Sequence, residues 1–395
     1  MSIGARRPRV YDTPMMSIEL EAMKALIDVS NRYGRQSDYV IAGGGNTSYK
    51  NAQVLAVKGS GQALANIKDS GFVRMDRAAL AAVWTKTFPA ATDEREKQVL
   101  ECLMAARLVG EEHKRPSVET LLHDLLPFAY VVHTHPTLVN ALTCGQEGKA
   151  AFDRLFATEA VWIPLVDPGY ILANVVKQAL EAFQTKHGQV PKIIFMQNHG
   201  IVVAGDTPAD IDATYESILG KLSAQVTERA SLVPLPVDAT TEAEFLKALV
   251  PAAKKALGSQ ELWLVRVAGK TVLDFAATER GFAPLSSAFT PDHIVYMGVS
   301  PVRVDVAADL ERAFDEYRAQ YGKPPQVVLA KGLGAFCLGT SEKTAGQAHA
   351  LFLDAVKIAV ASGSFGGPLF MTTAAIDFIR NWEVEAFRSQ VSGGK

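Results

Sequence analysis

The sequence predicts an α/β protein in two parts. Short apolar runs of strand type alternate with longer stretches whose apolar residues recur at helical spacing. At 395 residues the chain exceeds one ordinary core. A proline-bearing stretch, Ala230–Thr241 with Pro234, Pro236 and Asp238, then reads as a linker between residues 1–230 and 242–395.

Composition narrows the function. With 48% hydrophobic and 21% charged residues the chain is a globular protein without long disordered tracts. A net charge of −2 leaves no footprint for nucleic acid or a membrane surface. Cys102, Cys144 and Cys337 are far apart and lack CxxC spacing, which points to packed thiols in a reducing compartment, so a cytoplasmic location is expected. Met1–Asp12 is basic but is followed by no signal-type apolar region, and the longest apolar runs fall short of a spanning helix.

In chain order, residues 16–34 carry Ile18, Leu20, Met23, Leu26, Ile27 and Val29, acidic residues early and Arg32 late, and predict a helix closed by Gly34. Tyr39–Ala42 predicts a strand running into Gly43, Gly44 and Gly45, then Asn46, Thr47 and Ser48. Bare backbone beside small polar side chains suits an anion, and a hairpin turn fits equally. A second strand, Val54–Val57, runs into Lys58-Gly59-Ser60-Gly61, which adds a cation. Neither loop has P-loop spacing, so the pair points to a phosphate or carboxylate pocket rather than a nucleotide site. Helices are predicted over 76–88 and 94–109. Pro116-Ser117-Val118-Glu119 opens another, with Ser117 as N-cap and Glu119 complementing the helix dipole.

Ala129-Tyr-Val-Val-His133-Thr-His135-Pro136 is the stretch around which the chain is organised. On a strand, the two-residue period puts both imidazoles on one face, half of a metal site; two solvated histidines are the alternative. A helical turn follows over 137–143, a strand over 161–167, and a helix over 173–183. In Lys192–Asp206, His199 and Gly200 interrupt an apolar strand pattern, so His199 needs either a hydrogen-bonded partner or a metal. A capped helix over 207–227 closes the first part. In the second part, Val327–Thr340 and the helix after it copy the layout of 193–222, with Gly334 on Gly200, Gly339 on Gly205 and Leu333 on His199. Upstream, Pro291–Gly298 is expected to take the place of the histidine strand, with Tyr296 and Gly298 where the histidines stand. A degenerate repeat without metal ligands follows.

Gly45-Asn46-Thr47-Ser48, Lys58-Gly59-Ser60-Gly61, Pro116-Ser117-Val118-Glu119, His133-Thr134-His135 and Asn198-His199-Gly200, in this order, resemble the class II aldolase/adducin family. The closest look is to the aldolase part of bifunctional rhamnulose-1-phosphate aldolase/dehydrogenases, although this chain shows no dehydrogenase fingerprint. The resemblance implies an α/β/α layered domain with a mostly antiparallel sheet. It also implies a divalent metal, zinc with manganese or cobalt as alternatives, on His133, His135 and His199. Glu119 takes the acid/base role and can ligate the metal when substrate is absent, while Asn46, Ser48, Lys58, Ser60, Gly61 and Ser117 match the phosphate cradle. Many relatives carry a second serine where Val118 stands, which removes one phosphate donor, and Lys58 is placed to compensate. Tyr170 stands near a tyrosine that in relatives reaches a neighbouring subunit's site.

The implied activity is cleavage of a ketose 1-phosphate into dihydroxyacetone phosphate and an aldehyde, in a homo-oligomer of tetrameric type. A sugar-phosphate 4-epimerase or a decarboxylase would use the same metal cage. Epimerase relatives tend to carry Asp at Glu119, and the adducin branch lacks the histidines, so both rank lower.

Overall fold

The computed structural model describes residues 18–382, and its centre is a seven-stranded sheet. The basic segment Met1–Asp12 and the first two residues of the expected opening helix lie outside the described residues. The strands are β1 Asn46–Lys50, β2 Val54–Lys58, β3 Phe72–Asp76, β4 Tyr130–Thr134, β5 Ala160–Ile163, β6 Ile193–Met196 and β7 Gly200–Gly205. Their order is β3-β2-β1-β4-β7-β6-β5, and all neighbours are antiparallel except β5 and β6.

Nearly every strand residue is buried because helices cover both faces. Val132, Ile201 and Val203 pack with the helices Leu20–Gly34 and Pro208–Ser223. Val131, Val202 and Ala204, one residue out of phase, pack with Thr120–Leu125 and Tyr170–His187. That alternation is the α/β/α layering.

A second, smaller sheet lies in the C-terminal part, with β8 Trp263–Val267, β9 Val302–Val304, β10 Val327–Ala330 and β11 Gly334–Gly339 in the order β8-β11-β10-β9. It reproduces β4-β7-β6-β5 strand for strand, including the single parallel pair, here β9 with β10. Each hairpin has a three-residue turn with its middle residue at positive φ, Asn198 at 53° and Gly332 at 75°. Each leads into a helix opened by a capping box, on Thr207 and on Ser341. Gly200 and Gly334 recur for one reason. A Cβ would come 2.5 Å from the Thr134 carbonyl oxygen in the first repeat and 2.2 Å from the Val267 carbonyl oxygen in the second.

Three expectations need correcting. The first strand follows the glycines instead of preceding them, since Ala42 and Gly45 take positive φ (52° and 65°) and break any extension before Asn46. His199 sits in the tight turn of the β6–β7 hairpin, not inside one strand. Pro291–Tyr296 is a helix, so Tyr296 and Gly298 do not replace the histidines. Strand register instead aligns Arg266 with His133, because Arg266 faces Phe336 where His133 faces Val202; two residues on, Ala268 aligns with His135, and Leu333 holds the place of His199. Among the described residues one helical stretch, Glu342–Phe365, is long and apolar enough to cross a membrane by length and composition, which the sequence reading missed; most of its most apolar window is buried inside the fold, and the helix packs against β11 and the helix Thr137–Thr143.

Candidate metal centre

Strand β4 delivers His133 and, one residue past its end, His135; the adjacent β6–β7 turn delivers His199. One ligand atom from each of the three imidazoles lies within 4.8 Å of the others, and the Nε2 atoms of His133 and His135 are 3.0 Å apart. Nitrogens this close, with no proton to share among several acceptors, are the arrangement a cation resolves.

The other ring nitrogens set the tautomers. His133 Nδ1–H donates to the Ile201 carbonyl at 2.9 Å, and His135 Nδ1–H donates to Asp292 Oδ2 at 2.6 Å, which leaves both Nε2 lone pairs facing the cluster. Burial pushes the imidazole pKa down for His133 and, to about 3, for His199, so both are neutral ligands at neutral pH. The donor set therefore fits a divalent ion of the kind that imidazole nitrogens bind.

Glu119 completes the cluster. It precedes the helix Thr120–Leu125 and makes no capping bond with its side chain. Side-chain capping therefore does not account for its presence. Its carboxylate oxygens lie 3.5 Å from His133 Nε2 and 3.5 Å from His199 Nε2. Burial by itself would raise its pKa, but the facing histidines and the Asn46 amide outweigh that and hold it well below the usual carboxylate range. Ser117 is not the N-cap expected; its hydroxyl accepts the Glu119 backbone N–H at 3.2 Å and fixes the turn that aims the carboxylate inward.

A buried chain of side chains stands behind Glu119. Asn46, opposite His133 in the β1–β4 register, donates its amide to Glu119 Oε2 and to Ser117 Oγ. Its carbonyl accepts from His123 Nε2–H, and His123 Nδ1 accepts from the Ser48 hydroxyl at 2.7 Å. The order of donors fixes the Asn46 amide so that NH2, not oxygen, faces the carboxylate. The sequence reading missed His123, a histidine amid Leu121, Leu122, Leu125 and Leu126 that is fully buried; its apolar neighbours were the available signal. Ser48 is correspondingly not on the cleft wall but one layer behind it, fully buried.

The cleft over the cluster is lined by Ser60, Gly61, Ser117, Lys58 and Glu119 from the first part and by Asp292 and Trp382 from the second. Lys58 is only 5% exposed, and its ammonium donates to the carbonyls of Gly43 and Gly45, so it pins the glycine loop. The backbone amides of Gly59 and Ser60 donate to Gly71 and Arg115 carbonyls, so on this side the expected anion cradle is left with Gly61 and the hydroxyls of Ser60 and Ser117. Tyr170 does not reach the cleft; its ring packs on Trp84 and Phe88.

Residues 24–218 match the family described as "Class II Aldolase and Adducin N-terminal domain", and this part of the chain belongs to that family as a class II aldolase-like domain. Across 96% of its length the chain is 22% identical to a Bacillus subtilis (strain 168) protein named "Uncharacterized oxidoreductase YuxG", and it spans 60% of that relative's length. Among solved structures, the N-terminal class II aldolase domain of a conserved protein from Thermoplasma acidophilum is 27% identical, with a TM-score of 0.43 over 56% of this chain and 99% of that one. YgbL from Escherichia coli, described as a putative aldolase/epimerase/decarboxylase, is 18% identical, with a TM-score of 0.36 over 52% of this chain and 87% of that one.

Proposed function

We propose that the protein is a divalent-metal-dependent lyase that cleaves a ketose 1-phosphate into dihydroxyacetone phosphate and an aldehyde. The observation that supports this most directly is Glu119, held 3.5 Å from two of three clustered histidines with the Asn46 amide on its other side. A divalent ion bound by His133, His135 and His199 supplies Lewis-acid polarisation of a substrate carbonyl and hydroxyl. Burial keeps His133 and His199 neutral, so the charge of an ion held there would remain available for that purpose.

Glu119 then moves the proton at carbon. When the C–C bond breaks, the hydroxyl that becomes the aldehyde gives up its proton, the electron pair passes to the adjacent carbonyl, and Glu119, protonated in exchange, gives a proton to the carbon left behind, so that net one proton moves from oxygen to carbon. In the synthetic direction the carboxylate removes it again. Asn46, fixed through His123 and Ser48, keeps the carboxylate on that trajectory. Ser60 and Ser117 offer hydroxyls to the phosphate, and Lys58 holds the loop that forms the floor beside them. Tyr170, away from its own chain's cleft, is assigned to a neighbouring subunit's site in a homo-oligomer. Residues 1–230 form the catalytic unit and 242–395 the degenerate repeat in this reading.

The test is release of dihydroxyacetone phosphate from a panel of ketose 1-phosphates, rhamnulose and fuculose 1-phosphates included, with and without chelator. Chelator-sensitive release from one member supports the proposal. A metal-loaded protein that releases none overturns it in favour of epimerase or decarboxylase chemistry.

A further inference from the structure

We infer that Asp292, contributed by the second part of the chain, is the positioning residue for metal ligand His135, so that the degenerate repeat supplies a working component of the metal centre. The inference rests on the metal-centre reading above and concerns a residue outside the 24–218 segment that matches the family.

The geometry is that of a carboxylate–histidine pair behind a metal. Asp292 is 4% exposed, and its Oδ2 lies 2.6 Å from His135 Nδ1, while His135 Nε2 faces His133 Nε2 at 3.0 Å. A carboxylate accepting Nδ1–H fixes the ring's rotation, commits the Nε2 lone pair to the cluster and raises its basicity. His133 has only a backbone carbonyl in the same role. Asp292 is thus the one charged group among the described residues that is hydrogen-bonded to the back of a cluster imidazole.

Two features of the surroundings are built around this contact. A Cβ on Gly44 would stand 2.4 Å from Asp292 Oδ2 and 3.3 Å from His135 Nδ1, so the middle glycine of the triplet leaves room for the pair. The carrier helix, Pro291–Tyr296, is anchored at the next residue. His293 Nδ1 bonds the Thr290 hydroxyl at 2.7 Å, and its Nε2 lies 3.4 Å from Asp354, which in turn accepts the hydroxyl of Thr137. Thr137 is two residues past His135. The helix is therefore tied to the same stretch of chain that carries the ligand.

The experiment uses the full chain. Zinc affinity is measured by competition with a chromogenic chelator, and the visible spectrum is recorded after loading with cobalt(II). Asp292→Ala should weaken zinc about 10–100-fold and alter the cobalt spectrum. Asp292→Asn, which keeps an oxygen acceptor and nearly the same shape, should fall between that variant and the wild type. In a His135→Ala background, Asp292→Ala should cause no further loss, whereas a merely structural contact between the two parts would add its own. Unchanged affinity and spectrum in Asp292→Ala, beside a wild type that binds zinc, overturns this inference and leaves the metal centre standing. A wild type that binds no zinc overturns both.

Discussion

Two copies of one supersecondary layout sit in this chain, and only one holds a metal-type cluster. In the first, His133 and His199 face the Glu119 carboxylate. In the second, the His133 position is Arg266, whose guanidinium pairs with Glu242 at 2.7 Å, Glu242 lying in the first turn of the helix Ala239–Leu257. An acid at a helix start thus faces the same strand position in both, but a permanent cation has replaced a neutral donor and needs no metal. Leu333 and Ala268 remove the other two nitrogens. The glycines that shape the hairpin survive in both copies. The backbone needs them whether or not the site exists, while ligand side chains are free to change once the ion is gone.

The comparison can be broken by importing residues from the second copy into the first. His199→Leu copies Leu333 and should cost the largest effect, a loss of metal and of several kcal/mol of charge stabilisation, about 10³-fold or more in turnover. Steady-state rates with added zinc check it. Glu119→Gln keeps the donor nitrogens and should retain the ion while lowering turnover by about 10²–10⁴-fold. Unchanged turnover would make Glu119 a mere helix-start residue.

Smaller effects sharpen the account of the layer behind. Ser48→Ala leaves the buried His123 Nδ1 without a donor and should destabilise the fold by about 1–3 kcal/mol, read as a shift in urea midpoint. Acid should act on the same place. Burial pushes His123 down to about 3, against an unfolded value near 6.5. The unfolded chain then binds the extra proton first, so stability is complete above about pH 6.5 and falls as pH drops toward 3, by about 2 kcal/mol at pH 5 from this residue. Denaturant midpoints of the metal-free protein at pH 7.5 and 5 measure it, and His123→Gln should flatten the dependence. The least effect belongs to Arg266→Met. Its ion pair is about a quarter exposed, so stability should change by under about 1 kcal/mol and metal binding not at all.

What the sequence made legible follows from range. His133 and His135 were readable because a strand's two-residue period is local, and Glu119 because it opens the short helix that leads into the same strand. The β10–β11 hairpin was readable as a copy because its glycines and capped helix recur at fixed spacing. Asp292 was not, since it reaches His135 across 157 positions and, in a Thr-Pro-Asp start, looks like any first-turn acid. The register of the second repeat failed for a related reason. β8 and β9 are separated by 34 residues of helix and turn, where the apolar pattern of Pro291–Tyr296 resembles a strand. Lys58 looked like a phosphate ligand because sequence shows its charge but not the Gly43 and Gly45 carbonyls it turns toward.

The most direct measurement is the metal content of the dialysed full chain beside that of His133→Ala. The account predicts one divalent ion per chain in the wild type and none in the variant. Full metal content retained in His133→Ala would contradict it, because the ion would then be held somewhere other than between these histidines.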